Sequence, residues 1–114
     1  MTIKWVKVDP LVMNGEPFCF GTRLTVRNIL EMRAKGMTPN DMMAQNPELR
    51  RVGIAEAYRF AAEQRDRYPD FVEPDGSFRG PGFTADEAST LPEHLRGLHG
   101  AVVSAEQPGT AVSG

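Results

Sequence analysis

The chain has 114 residues, of which 40% are hydrophobic, so we expect one small domain, or a smaller domain with a tail. It contains no apolar run near the roughly 20 residues of a membrane span, no signal-peptide pattern and a single cysteine, which together predict a protein of the reducing cytoplasm. The net charge of −2 combines +3 in residues 1–67 with −5 in residues 68–114, so a weakly basic body precedes an acidic tail.

Two short strands are predicted at the N-terminus. Residues 3–8 alternate polar and apolar side chains, and Asp9-Pro10 ends this strand. Asn14-Gly15 is a pair typical of tight turns, and Phe18-Cys19-Phe20 then forms a second strand. A ribbon this small is unstable alone, so it has to pack on helices or on a second copy of itself.

Gly21-Thr22-Arg23 follows the ribbon and lacks the glycine run and Gly-Lys-Ser/Thr ending of a phosphate loop. We interpret it as a structural corner. Gly21 permits an unusual φ, Thr22 or Thr25 caps the next helix, and Arg23 hydrogen-bonds to nearby carbonyls or a carboxylate. The alternative role for Arg23 is a contact with DNA or a partner.

Three helices are predicted next. The first follows from the helical spacing of Val26, Ile29, Leu30 and Arg33, and then Met37. Gly36 ends this helix, Thr38-Pro39-Asn40-Asp41 starts the second, and Asn46-Pro47 closes it. The third covers about residues 52–67. A short helix, a tight turn and a longer helix match a helix-turn-helix arrangement, which also occurs in proteins that have no role at DNA.

The composition changes at Tyr68 to a segment rich in Pro, Gly and Asp. A pure linker would lack its three phenylalanines, so we expect a tail that docks these rings on a surface. Thr84 to Glu87 form a capping box for a short helix, residues 92–98 form another, and residues 104–114 are expected to be disordered. The predicted fold is therefore mainly α with a small N-terminal β ribbon: a helix-turn-helix-like core in residues 1–67 and an extended tail in residues 68–114.

Short motifs occur in a specific order along residues 6–63: Asp9-Pro10, Gly15-Glu16-Pro17, Gly21-Thr22-Arg23, Gly36-Met37-Thr38, Pro47-Glu48-Leu49 and residues 54–61. In this combination the chain resembles the domain-of-unknown-function family 433, whose members look like VapB-type antitoxins and commonly accompany PIN-domain ribonuclease toxins. The resemblance implies a helix-turn-helix-like core behind a β ribbon, usually as a homodimer.

The chain departs from this family at the start of the third helix. The family usually has a Thr or Ser cap followed by acidic residues, and this chain has Arg50-Arg51-Val52-Gly53. Positive charge there opposes the helix dipole by up to about 1 kcal/mol, and the missing cap costs about 1 kcal/mol more. Either the helix starts elsewhere, or the arginines serve an outside anion such as a DNA phosphate. The tail beyond Tyr68 is a second departure, and specialised function is expected there.

The sequence offers little for catalysis. Cys19 lies between two phenylalanines and is interpreted as a small buried hydrophobe. His94 and His99 have no cysteine or carboxylate at metal-ligand spacing. We therefore predict no enzyme activity, cofactor, metal or small-molecule substrate.

The predicted function is that of an antitoxin-like protein that binds operator DNA and neutralises a PIN-type nuclease toxin. The candidate DNA contacts are Arg27, Arg50, Arg51 and Arg59. Arg59 is placed to reach a base edge, although Glu56 and Glu63 on the same face would repel phosphate. The candidate partner contacts are Phe71, Phe78, Arg79, Phe83 and Arg96, with Arg79 or Arg96 entering the acidic nuclease site. The alternative is a non-catalytic protein-interaction module whose tail recruits or caps a partner, without DNA binding.

Overall fold

A computed structural model describes residues 5–11, 15–98 and 100–104. Within these residues the chain forms a two-stranded antiparallel ribbon and four α-helices, which confirms the prediction of a mainly helical fold with an N-terminal ribbon. The elements are β1 (Val6–Lys7), β2 (Phe18–Cys19), α1 (Val26–Ala34), α2 (Pro39–Gln45), α3 (Arg51–Glu63) and α4 (Ala85–Ala88). Single 3-10 turns lie at Arg65–Arg67, Pro69–Phe71 and Glu93–Leu95.

The ribbon is shorter than the sequence predicts, and Val6 in β1 pairs with Cys19 in β2. Gly15 has a φ of +80°, in the left-handed region that the predicted Asn-Gly turn requires. Other predictions lie outside the described residues: the strand at residues 3 and 4, Asn14 of the turn, His99, and the end of the tail at residues 105–114.

Thr22 holds the corner between the ribbon and α1. Its Oγ1 donates to the carbonyl oxygen of Cys19 at 2.9 Å and accepts from the amide N–H of Leu24 at 3.0 Å. Gly21 has a φ of +82°, which a glycine adopts at little cost. Arg23 is exposed, and its guanidinium makes no hydrogen bond or ion pair with the described residues, so the bracing role predicted for it is not seen there.

The first two helices begin and end at the predicted residues. Thr25 caps α1 and exchanges hydrogen bonds with Asn28, and Thr38 does the same with Asp41 at the start of α2. Gly36 follows α1 with a φ of +97° and ends it. These three signals are local in sequence, and all three are confirmed.

The third helix starts at the arginine pair. Arg50 is the N-cap residue of α3, Arg51 is its first helical residue, and no side chain caps the free amide groups. The alternative in which this helix starts away from the arginines is therefore wrong. The N-terminal end of α3 therefore has amide N–H groups without a side-chain acceptor, next to two positively charged side chains.

The third helix is also the centre of the fold. Its fully buried residues are Gly53, Ile54, Ala55, Ala57, Tyr58 and Ala61. No residue from 51 to 62 is exposed, because the ribbon, α1, α2 and the tail all pack around this helix. Glycine and alanine let these neighbours come close, and the Cys19 thiol reaches the carbonyl oxygen of Gly53 at 3.8 Å.

The tail belongs to the same core as the helices. Buried tail side chains include Tyr68, Phe78, Phe83, Leu91, Leu95 and Val102. The amide N–H of Phe83 donates to the carbonyl oxygen of Val102 at 2.9 Å, so the end of the described tail pairs with its middle. The hydrophobic core thus runs across the predicted boundary between residues 67 and 68.

A buried arginine joins the tail to α1. Arg33 is 1% exposed, and its Nε donates to the carbonyl oxygen of Gly80 at 3.2 Å, while Nη1 and Nη2 donate to the carbonyls of Ala101 and Gly100. Its guanidinium also lies 4.4 Å from the ring centroid of Tyr58. Burial lowers the pKa of Arg33, but an arginine keeps its charge in a protein. We call this set of contacts the Arg33 clamp.

Replacing Gly53 by alanine is expected to raise the free energy of unfolding by about 0.5–1 kcal/mol, because glycine is the poorer helix former. A Cβ atom at this position would lie 3.7 Å from Cε3 of Trp5, an ordinary contact distance. Urea unfolding of both proteins measures the difference. Gly97→Ala, in open space outside a helix, is the control with a smaller expected change. Destabilisation by Gly53→Ala would contradict the packing described here.

Candidate functional site

A groove lies at the start of α3, between the ribbon, α2 and the tail. Its volume is about 600 Å³, and we call it the Arg50 groove. It is lined by Trp5, Met43, Arg50, Arg51, Val52, Thr90, Leu91 and Pro92. Most of these side chains are apolar, two are cationic and none is acidic, so the groove joins an apolar surface to unneutralised positive charge.

The two arginines differ in how they are held. The side chain of Arg50 is exposed and makes no hydrogen bond or ion pair with any residue in the described ranges. Arg51 is half-buried and donates to Oγ1 of Thr90 at 3.3 Å and to Oδ1 of Asn40 at 3.4 Å. Both acceptors are neutral, so these bonds orient the guanidinium without cancelling its charge. The dipole of α3 adds partial positive charge at the same end.

The tail supplies one wall of the groove and is fastened at two further points. Asn40 on α2 donates to Oε2 of Glu87 at 3.2 Å, and His94 lies with Nε2 2.9 Å from Oε2 of Glu56 on α3. Leu91 is buried between these two contacts. The wall is therefore positioned by apolar burial as well as by polar contacts on both sides of it.

The match of residues 6–61 to the family of proteins of unknown function DUF433 covers the ribbon and the helices that carry the arginines. Residues 6–61 are thus similar to the DUF433 family, whose function is unknown. No curated protein and no solved structure gives a significant match to the chain. None of the helices in the described part of the chain has the length and apolar character needed to cross a bilayer.

The DUF433 segment supplies only part of the site. Arg50 and Arg51 lie inside the matched residues, whereas the wall formed by residues 90–92 lies in the tail beyond them. The carbonyl groups that bind Arg33 also lie beyond residue 61. The Arg50 groove is thus built jointly by the family segment and by a tail that the family match does not cover.

The four predicted DNA contacts do not form one surface. Arg50 and Arg51 line the groove, but Arg27 stacks over Tyr68 and lies 3.9 Å from a carboxylate oxygen of Glu16. Arg59 is held between the two acidic residues that flank it on α3, Glu56 at 3.6 Å and Glu63 at 3.1 Å. Arg27 and Arg59 therefore have local carboxylate partners, and of these four arginines only Arg50 and Arg51 have none within the described residues.

The predicted partner contacts are also divided. Phe78 and Phe83 are buried in the core, and Phe83 packs edge-on against Tyr58 at a centroid distance of 5.9 Å. Their prediction as partner-binding residues is corrected, because both rings dock on the chain's own helices. Arg79 is exposed but pairs with Glu73 at 3.3 Å. Of the remaining two, Phe71 is half-buried, and Arg96 is exposed with its Nε donating to the carbonyl oxygen of Leu91 at 2.9 Å.

The sequence reasoning missed the apolar part of the groove. Trp5 lies just before β1, Met43 lies in α2, and Leu91 and Pro92 come from a tail segment about 40 residues after Arg51. No local pattern links positions so far apart. The one signal in the sequence was the missing side-chain cap at Arg50, which lies at the N-terminal end of α3, where the groove is found.

The buried Cys19 thiol has no catalytic setting, since burial raises its pKa to about 12. Burial raises the pKa of the Tyr58 and Tyr68 hydroxyls in the same direction. The unfolded chain ionises its thiol near pH 9.0, so the stability that Cys19 provides is complete below that pH and is lost between pH 9.0 and about 12.

We therefore expect the ionisation of Cys19 to lower the free energy of unfolding by up to about 1.4 kcal/mol per pH unit in this alkaline range. Urea unfolding of the wild-type chain and of Cys19→Ala across this range measures the two slopes. The variant should show the shallower slope, and equal slopes would contradict the burial of the thiol.

Proposed function

We propose that the chain is a non-catalytic, antitoxin-like protein of the cytoplasm that neutralises a partner protein by binding it at the Arg50 groove. The observation that carries this proposal is the combination of an apolar surface with two arginines that no lining carboxylate neutralises. Arginine and tryptophan are the residues most enriched among strong contacts in protein interfaces. The resemblance to VapB-type antitoxins supports a PIN-type nuclease as the partner.

The contacts of the basic side chains favour Arg50 over Arg79 and Arg96 as the candidate for the nuclease site. The active site of a metal-dependent nuclease is acidic, and a basic side chain can occupy it. Arg79 already pairs with Glu73, and Arg96 donates to a carbonyl of its own chain. Arg50 is exposed and lines the groove, so we propose it as the candidate in their place.

Co-expression with the nuclease-like protein encoded beside the gene tests the proposal. The wild-type chain should co-purify with the nuclease and restore growth of the cells that produce it. Arg50→Gln together with Arg51→Gln should weaken the complex at least tenfold, since a charge-assisted hydrogen bond contributes about 1.5–3 kcal/mol. Arg59→Gln removes one positive charge from a paired residue and should leave the affinity nearly unchanged. Equal affinity of all three proteins would contradict the proposal.

DNA binding is the second candidate function, and the order of the helices favours it. Residues 46–50 join α2 to α3, and Arg50 and Arg51 lie at the N-terminal end of the second helix, where helix-turn-helix proteins contact DNA. Most of α3 is covered by its neighbours, and the arginines at its N-terminal end have no carboxylate partner within the described residues, which favours this end for such a contact. A gel-shift titration with the DNA upstream of the gene, at about 50 mM salt, should show weak binding with a salt slope near −2. No shift under these conditions would contradict DNA binding.

A homodimer is a further proposal, supported by apolar exposure on the N-terminal segment. Phe20 is 46% exposed and directly follows β2, and Val8 is 56% exposed and directly follows β1. Covering such side chains removes apolar surface from water, which favours association at about 25 cal/mol per Å². Sedimentation velocity should give a dimer, and Phe20→Ser should shift the equilibrium towards the monomer. A monomer at every accessible concentration would contradict this part of the proposal.

A further inference from the structure

We infer that the Arg50 groove binds an acidic peptide segment that carries a bulky apolar side chain. This inference rests on the proposed function, because it names the part of the partner that the groove takes. It is carried by three features of the groove: its apolar lining, its uncompensated positive charge, and the fixed orientation of Arg51.

The apolar lining requires an apolar group in the ligand. Trp5, Met43, Val52, Leu91 and Pro92 come from four separate segments and face one space of about 600 Å³. Ligand sites in proteins have volumes of about 300–1,000 Å³ and are mostly apolar. A bulky side chain such as leucine or phenylalanine would fill part of this space and displace water from the lining.

The charge of the groove requires an acidic ligand. No acidic side chain lines it, and two carboxylates on the elements around it, Glu87 and Glu56, have other partners. Glu87 accepts from Asn40 and from the amide N–H of Thr84, and Glu56 pairs with His94 and with Arg59. Neither arginine of the groove has a carboxylate partner within the described residues, so both are available to the carboxylates of a ligand.

The geometry of Arg51 is set before any ligand binds. Its two terminal nitrogens donate to Thr90 and Asn40, and its Nε is buried with no acceptor among the described residues. A guanidinium held at two points loses little side-chain entropy when a carboxylate binds. Arg50 is exposed and can reach a second carboxylate of the same segment.

A peptide satisfies this site better than nucleic acid does. A phosphate backbone would use the two arginines and leave the apolar lining without a partner. Two phosphate contacts also give a small electrostatic term, with a salt slope near −2. An acidic peptide with one apolar residue uses both parts of the groove at once.

The one tryptophan of the chain, Trp5, lines the groove and makes binding directly measurable. The probe is the pentapeptide Asp-Glu-Leu-Glu-Asp, blocked at both ends and free of tryptophan. Its addition to the full chain should change the tryptophan emission in a saturable way, with a dissociation constant below about 1 mM. The same peptide with serine in place of leucine should bind at least about tenfold more weakly, because it lacks the apolar contact.

The matched protein variants are Arg50→Gln and Arg59→Gln, which remove the same charge from different positions. Arg50→Gln should weaken binding of the peptide about tenfold, and Arg59→Gln should change it less than about twofold. Far-ultraviolet circular dichroism checks that both variants are folded. Arg51→Lys keeps the charge but loses the two-point hydrogen bonding. It should lower the affinity for the peptide less than the double variant Arg50→Gln with Arg51→Gln does.

Several results would overturn the inference: no change in tryptophan emission, equal binding of the serine peptide, or a short DNA duplex that binds while the peptide does not. These results are distinguishable from a failure of the proposed function. If the nuclease co-purifies but the pentapeptide does not bind, the inference fails and the antitoxin-like function stands. If the pentapeptide binds but no nuclease complex forms, the chemistry of the groove stands and the proposed partner is wrong.

Discussion

Replacing Arg33 by methionine is expected to lower the free energy of unfolding by about 2–3 kcal/mol. The change leaves the part-buried carbonyl group of Gly80 and the buried carbonyl group of Ala101 without a donor, whereas the carbonyl of Gly100 still accepts from the amide N–H of Phe78. Each unsatisfied acceptor costs about 1 kcal/mol or more, and relief from burying a cation offsets part of the total. Methionine fills a similar space and keeps contact with the ring of Tyr58, so the measured loss reports mainly on the hydrogen bonds.

Urea unfolding of the two proteins measures this loss. Arg23→Met is the matched control, because Arg23 is exposed and its guanidinium has no partner within the described ranges. Its expected effect is within about 0.5 kcal/mol. If Arg33→Met destabilises the chain no more than Arg23→Met does, the Arg33 clamp does not hold the tail.

Replacing Gly80 by alanine is expected to cost more than about 2 kcal/mol. Gly80 has a φ of +87°, which is strained for alanine by about 1 kcal/mol. A Cβ atom would also lie 1.8 Å from the carbonyl oxygen of Arg33, inside any allowed contact distance. The tail would have to move away from α1 at the point where Arg33 binds it, and the clamp would be lost with it.

Gly36→Ala separates the two causes. Gly36 has a φ of +97°, and an added Cβ atom there meets nothing within 4 Å, so only the backbone strain remains. Thermal unfolding should show a small decrease in Tm for Gly36→Ala and a much larger one for Gly80→Ala. Equal decreases would mean that the close approach between the tail and α1 does not exist in solution.

Local signals in the sequence predict the first part of the fold well. The threonine caps at Thr25 and Thr38 and the glycine at Gly36 act within one helical turn, so short windows of sequence contain all the information that places them. The same holds for the small corner at Thr22, whose hydrogen bonds reach only two or three residues. Local hydrogen bonds decide these positions, and tertiary packing does not override them.

The course of the tail depends on contacts that are distant in sequence. Arg33 has the spacing of an inward-facing helix residue, which the sequence shows, but its acceptors lie 47 to 68 residues later. The three phenylalanines predict that the tail docks, and they do not say whether the surface belongs to a partner or to the chain itself. Two of them, Phe78 and Phe83, fill the chain's own core.

The candidate site could be predicted from the sequence only in part. The missing cap at Arg50 is visible in the sequence and points to an anion at the start of α3. The apolar lining is not visible, because Trp5 and Leu91 meet there only after the ribbon and the tail have packed on the helices. The tail thus adds an apolar wall to the pair of arginines at the start of α3.

Amide hydrogen exchange in the native chain tests most directly the claim that the tail is part of the fold and a wall of the groove. The amide N–H groups of Phe83 and Ser104 donate to carbonyls of Val102 and Phe83, both at 2.9 Å. We predict that both exchange at least about 100-fold more slowly than in an unstructured peptide, and that Arg33→Met removes more of this protection than it removes at Ile54 in α3. Exchange of these tail amides at the unstructured rate in the wild-type chain would contradict the account.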